Sequence, residues 1–282
     1  MNPETNLDEE LLSASKEGDG AAVSQALKAG ANIDAVDFNR RSSLMHASMN
    51  GHLDVVKLLL EAGASVDTQD ASGRTALMEA SMRGGVDVMR ALLGAGADVN
   101  LSAALGETAL IMAASGRARD TVPILLEHHA DPNISDRDKK TVLMWVVDLQ
   151  FHRGGVPVEV IEPLVAAGAE PNARDKFGRT ALLWAVKGDL SSFVRPAVLQ
   201  ALLDNGVDVN LRDDRGETAL FGLVRYLDDT LHLDTGRPCV ELLLAAGADP
   251  NARNKDEKTA LGVVDPRNTL VIDLLKELGL EE

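Results

Sequence analysis

Six histidines, one cysteine and two tryptophans are the side chains of this 282-residue chain best suited to chemistry. A metal site needs imidazoles or carboxylates that converge on one point. His128-His129-Ala130-Asp131 offers three such groups in four residues. Adjacent helical residues point about 100° apart, so this pair diverges. A histidine near a helix C-terminus is instead explained as a cation that suits the dipole. His52, in Asn50-Gly51-His52, reads as a turn residue. Cys239 has no base beside it in sequence, so a buried apolar thiol is expected rather than a nucleophile. Gly18-Asp19-Gly20 and Gly94-Ala95-Gly96 lack the third glycine and the preceding strand of a dinucleotide loop. The chain has no Gly-x-x-x-x-Gly-Lys, His-Glu-x-x-His or Cys-x-x-Cys motif. Trp145 and Trp184 stand at equivalent places in successive segments and read either as filled core or as an aromatic clamp. No set of polar residues converges, so neither an enzyme nor a cofactor site is expected.

The elements that carry these residues come from a repeat. Thr-Ala-Leu recurs, followed some twenty residues later by Leu-Leu-x-x-Gly-Ala: Thr75-Ala76-Leu77 with Leu92-Leu93-Gly94-Ala95-Gly96-Ala97, and again from Thr108, Thr180, Thr218 and Thr259, with valine for the alanine in the copy at Thr141. Ser42-Ser43-Leu44 is a degenerate copy. The glycine closing each unit falls at 30, 63, 96, 168, 206, 247 and 279, with His129 in its place once. The steps are 33, 33, 33, 39, 38, 41 and 32 residues. Eight units follow, at about 4–36, 37–69, 70–102, 103–135, 136–174, 175–212, 213–253 and 254–282. In each, a short apolar helix led by the threonine precedes a Gly-containing break. A second helix follows with a 3.6-residue stripe, as in Val55-Val56-x-Leu58-Leu59-Leu60. A unit this short buries its apolar face only against its neighbours. Hydrophobic content of 45% with 3% aromatics suits thin layers filled by Leu, Val and Ala.

Three long steps place insertions between the helices near 150–156, 188–195 and 226–237, each ending in a proline: Pro157, Pro196 and Pro238. Proline at a first helical position loses no hydrogen bond, so each is expected to restart its second helix. Pro163 makes the helix near Val158 irregular. The insertions read either as a contact ledge or as mutual packing. Asn6 is expected to cap the first helix, and polar residues at both ends read as the caps of a complete array.

Net charge is −16, which disfavours general nucleic-acid or anionic-membrane binding. Much of the acid falls at fixed repeat positions such as Asp37, Asp70 and Asp175, where it reads as turn chemistry. One cysteine allows no internal disulfide, and no signal segment or membrane span is visible. A cytoplasmic monomer is the expectation.

Asp70-Ala-Ser-Gly73-Arg-Thr75-Ala-Leu77-Met-Glu-Ala80 with Gly96-Ala-Asp-Val-Asn100 resembles the ankyrin repeat, as does Asp175-Lys-Phe-Gly178-Arg-Thr180-Ala-Leu182 with Gly206-Val-Asp-Val-Asn210. The resemblance runs from about Asn6 to Leu280. Alanine replaces the usual proline after the threonine, and Arg40, Lys139 and Glu257 replace the hairpin glycine. The implied fold is an all-α solenoid of eight helix-turn-helix units with short β-hairpin fingers. The fingers and first helices would form a concave face that binds another protein.

Residues that vary between units are the expected contacts: Phe38, Arg41, Arg74, Leu105, Lys140, Lys176, Phe177 and Arg179 at the turns, and Met49, Met82, Arg83, Arg225 and Tyr226 at first-helix ends. Arg, Tyr, Phe and Met are enriched in interfaces, and this edge suits an acidic or amphipathic protein segment. Two other readings are an inhibitor or immunity-type protein masking a basic enzyme, and a secreted effector that binds a host protein.

Overall fold

The computed structural model describes residues 3–115, 121–148, 158–187, 196–225, 227 and 230–281. The repeat threonines and serine from Ser42 to Thr218 each stand at the start of a helix, and Thr259 precedes a 3-10 turn (Leu261–Val263) by two residues. Ser42 Oγ accepts the Met45 N–H at 3.3 Å, Thr75 Oγ1 that of Met78 at 3.3 Å, and Thr180 Oγ1 that of Leu183 at 3.5 Å. This satisfies one of the donors that a helix start leaves open.

The chain divides into two compact units, residues 1–137 and 138–282. The first holds α1 (Pro3–Glu17), α2 (Gly20–Lys28), α3 (Ser43–Asn50), α4 (Leu53–Glu61), α5 (Ala76–Arg83), α6 (Val86–Gly94), α7 (Ala109–Ser115) and α8 (Thr121–Glu127). Leading helices α1, α3, α5 and α7 pack on one another in order, and α2, α4 and α6 form the layer behind them. The seam between is dry: Leu11, Leu44, Leu77 and Leu110 are buried from one layer, and Val23, Val56, Met89 and Leu92 from the other. Burial of a Leu or Val side chain contributes about 1.5–3 kcal/mol, and no pair of helices closes this seam alone.

The second unit repeats the scheme. Its leading helices are α9 (Val142–Val147), α11 (Ala181–Ala185) and α13 (Ala219–Val224). Behind them lie α10 (Ile161–Ala166), α12 (Pro196–Asp204) and α14 (Thr230–Ala245), with α15 (Thr269–Glu277) packed on α14. The described residues carry helices, turns and two isolated antiparallel bridges, Val36–Ser42 and Ser102–Thr108. The fold class is an all-α repeat solenoid.

Fixed acids build the turns that open the units. Asp70 Oδ1 accepts the N–H groups of Ser72 and Arg74, and Asp175 Oδ1 those of Phe177 and Arg179. Successive turns are also joined through the backbone. Ala71 donates to Asn39 O, Ala104 to Ser72 O and Arg137 to Leu105 O in the first unit; Lys176 donates to Asp138 O, Asp214 to Phe177 O and Lys255 to Arg215 O in the second. Gly73 shows how close the approach is: a Cβ there would lie 2.8 Å from the Ala104 nitrogen. Arg40, Lys139 and Glu257 hold the same turn position at φ of 61°, 58° and 58°, and His129 replaces a helix-end glycine at φ 64°.

A second ladder ties the other ends of the helices. Asp34 Oδ1 accepts the Ser65 N–H, Asp67 Oδ1 that of Asp98 and Asn100 Oδ1 that of Asp131, each 31 residues on. In the second unit Asn172 serves Asp208 and Asn210 serves Asp249, over 36 and 39 residues. The insertions change the step without breaking the bond.

Four expectations about element ends meet the structure. Helix α1 begins at Pro3, so Asn6 lies inside it and not at its start. Proline at a helix start gives up only an orphan N–H, which lets the helix begin earlier. Pro196 does open α12. The helix after Pro157 is irregular as expected. A 3-10 turn (Val158–Val160) leads into α10, where Pro163 is the third residue and still costs no bond. Pro238 does not restart a helix, because α14 runs through it from Thr230. Residues 150–156 and 188–195 of the insertions lie outside the described residues.

Candidate functional site

The polar residues of the second unit converge on two indoles. Lys140 precedes Thr141 at the head of α9, and Trp145 is the fourth residue of that helix. Trp184 holds the same place in α11, 39 residues later. The Lys140 ammonium lies between them, 3.9 Å from the Trp145 ring centroid and 4.0 Å from that of Trp184, and it pairs with the Asp148 carboxylate. Lys140 is only 4% exposed. This corrects its expected place on a solvent-facing edge. An ammonium tolerates burial where a carboxylate and two aromatic faces replace its water. The tryptophans are half-buried, and the slot between them is filled by the chain itself.

The stack continues outward. Arg179 holds Asp175 Oδ2 through Nε at 2.9 Å and through its terminal nitrogen at 2.8 Å, and the same oxygen accepts the Trp184 indole N–H at 3.1 Å. The Arg179 guanidinium carbon lies 4.0 Å from the Trp184 centroid and 4.5 Å from that of Phe177. Lys187 sits 4.4 Å over Trp184, and burial together with neighbouring Arg179 holds its ammonium below the usual lysine range. Lys176 lies 4.9 Å over Phe177 and pairs with Asp138 at 2.6 Å.

The other expected contacts divide by environment. Phe38 is 92% exposed, Leu105 57% and Phe177 47%, all at turn tips. Arg83 and Arg225 are exposed, and Met49 and Met82 half-buried. Three of these cations are committed within the chain: Arg41 to Asp70 and Arg74 to Glu79 at the turns, each at 3.4 Å, and Arg225 to Glu217 at the end of α13. Tyr226 lies outside the described residues. Sequence reasoning paired Trp145 with Trp184 as filled core or an aromatic clamp but did not join Asp148, Asp175 and Lys187 to them. The available signal was the shared 39-residue step from Lys140 to Arg179 and from Trp145 to Trp184.

The remaining candidates for chemistry take structural parts. His52 Nε2 meets Lys16 O at 3.0 Å, and its ring fills the space beside Gly18. Cys239 is buried, which pushes its thiol up to about 11. Among the described residues no three His, Cys, Asp or Glu side chains are grouped to hold a metal ion, and no helix is long and apolar enough to cross a membrane.

Comparison with known families settles the architecture. A profile described as ankyrin repeats (3 copies) matches residues 11–103 and 152–254, and the profile of the single ankyrin repeat matches 105–137. The chain is an ankyrin repeat protein. No curated protein matches it. In this ankyrin repeat protein, Lys140, Trp145 and Asp148 fall in the stretch that neither profile covers. Ankyrin repeats generally mediate protein–protein interaction and are typically not catalytic.

Proposed function

We propose that this ankyrin repeat protein is a non-catalytic scaffold or regulator that binds a partner protein through its turn tips and the ends of its leading helices. One observation carries the reading. Of the five large apolar side chains exposed among the described residues, three (Phe38, Leu105 and Phe177) occupy turn tips of different repeats. Exposed aromatic and aliphatic groups at recurring positions, with arginine and methionine beside them, have the composition of interface anchors. The buried seam does not use them, so their loss leaves the fold intact. A monomer in a reducing compartment such as the cytoplasm, without cofactor or nucleic acid, is in keeping with a single, buried cysteine and a net charge of −16.

The triple change Phe38→Ser, Leu105→Ser and Phe177→Ser tests the reading. Capture of a partner from the source lysate, identified by mass spectrometry, should fall at least about tenfold, with an unchanged melting curve. Equal capture by wild type and variant would refute it.

A further inference from the structure

A clamp for a partner's cation would be the simple reading of Trp145 and Trp184, but Lys140 already fills that slot and Asp148 neutralises it. Trp184 itself is surrounded by positive charge. Three cations lie within 4.4 Å of its ring centroid: Lys140, Arg179 and Lys187. Two carboxylates serve them, Asp148 on Lys140 and Asp175 on Arg179. Among the described residues no carboxylate pairs with Lys187. Lys176 pairs with Asp138, and Asp214 lies beside Gly178, so of the cations over Trp184 Lys187 is the one left without a paired carboxylate among the described residues. A short segment at this surface responds to nearby charge, because the screening length is about 8 Å at physiological salt. Beside the cations, Phe177 leaves an aromatic ring 47% exposed.

We propose that Lys187, Trp184 and Phe177 form a docking site for an acidic segment of the partner protein. A carboxylate of that segment pairs with Lys187 and an adjoining apolar side chain covers Phe177. An anion there meets an ammonium already stripped of part of its water, which strengthens the pair relative to an exposed one. This inference rests on the protein-binding reading above and gives the partner's contact its chemistry.

Trp145 and Trp184 are the only tryptophans in the chain, so intrinsic emission reports on this place alone. The full-length protein is titrated with a synthetic peptide of alternating Glu and Leu, with its Lys-Leu counterpart, and with an oligothymidylate. The expected result is a saturable emission change with the Glu-Leu peptide only. Lys187→Gln should weaken it about tenfold and Phe177→Ala should also weaken it, while Lys187→Arg stays within about threefold of wild type. Melting curves confirm that each variant is folded. No saturable response, a response indifferent to Lys187→Gln, or equal binding of the Lys-Leu peptide or the oligonucleotide would overturn the proposal. Partner capture by the double change Phe38→Ser and Leu105→Ser, which leaves Phe177 in place, is read separately, so the broader reading and this one fail independently.

Discussion

Asp175 holds the Trp184 indole N–H and the Arg179 guanidinium on a single carboxylate oxygen, while its other oxygen closes the turn through the N–H groups of Phe177 and Arg179. One acid thus fixes both the backbone turn and the aromatic stack above it. Asp175→Ala should destabilise the protein by about 2–3 kcal/mol, because it leaves a largely buried guanidinium and an indole N–H without their acceptor. Urea unfolding followed by circular dichroism measures this. Tryptophan emission in native buffer should move to the red as Trp184 loosens.

Arg40, Lys139, Glu257 and His129 sit in the left-handed region that favours glycine. A side chain there costs about 1–2 kcal/mol, partly offset by the greater freedom glycine brings to the unfolded chain. Each single change to glycine should therefore raise stability by up to about 1 kcal/mol, and Lys139→Gly should do so without moving the emission spectrum. A lower melting temperature in all four would contradict the assignment of strain.

Two threonines of the same motif should respond oppositely to valine. Thr75 Oγ1 caps α5 at 3.3 Å, so Thr75→Val should cost about 1 kcal/mol. Thr218 Oγ1 is buried at the head of α13 without a hydrogen-bond partner among the described residues, so Thr218→Val should be neutral or stabilising. Paired denaturation curves decide the matter.

Burial pushes the Asp37 carboxyl up, but the N–H groups of Arg41 and Asn39 and the His46 ring more than offset this, leaving it below its ordinary value of 3.8. A depressed carboxyl contributes stability that is present above its unfolded pKa and lost as pH falls through the folded value. Acid titration of stability below about pH 4 should accordingly show a shallower loss in Asp37→Asn than in wild type. The variant should be the less stable of the two at pH 7.

Gly236 lies within α14, and a Cβ there would fall 2.0 Å from Leu227 Cδ2. Leu227 O also accepts the side-chain N–H of Asn268, which caps α15. This part of the third insertion is therefore packed against its own unit. Gly236→Ala should destabilise by about 1–3 kcal/mol, and deletion of 228–236 should lower the melting temperature further.

What the sequence made legible was whatever recurs at fixed phase. The Thr-Ala-Leu motif announced its helix starts, the Gly ruler its helix ends, and Asp70 and Asp175 their turns, because each acts on residues a few positions away. The candidate site was harder to see because its contacts cross units. Lys140 reaches Trp184 over 44 residues and Arg41 reaches Asp70 over 29, so residue type alone did not reveal that these cations were already engaged. Pro238 misled because a proline's preference for a helix start is only a local tendency, and α14 already runs from Thr230 when it reaches Pro238.

The ladder of Asp and Asn side chains has a direction. In each rung the side chain belongs to the earlier residue and the backbone group to the later one, from Asp34 and Ser65 to Asn210 and Asp249; Asn100, Asn172 and Asn210 also donate their amide N–H to His129 O, Gly206 O and Gly247 O. A ribosome releases the chain from its N-terminus, so every newly emerged segment finds its anchoring oxygen already made. Nascent material can be added rung by rung without waiting for sequence that has yet to be translated.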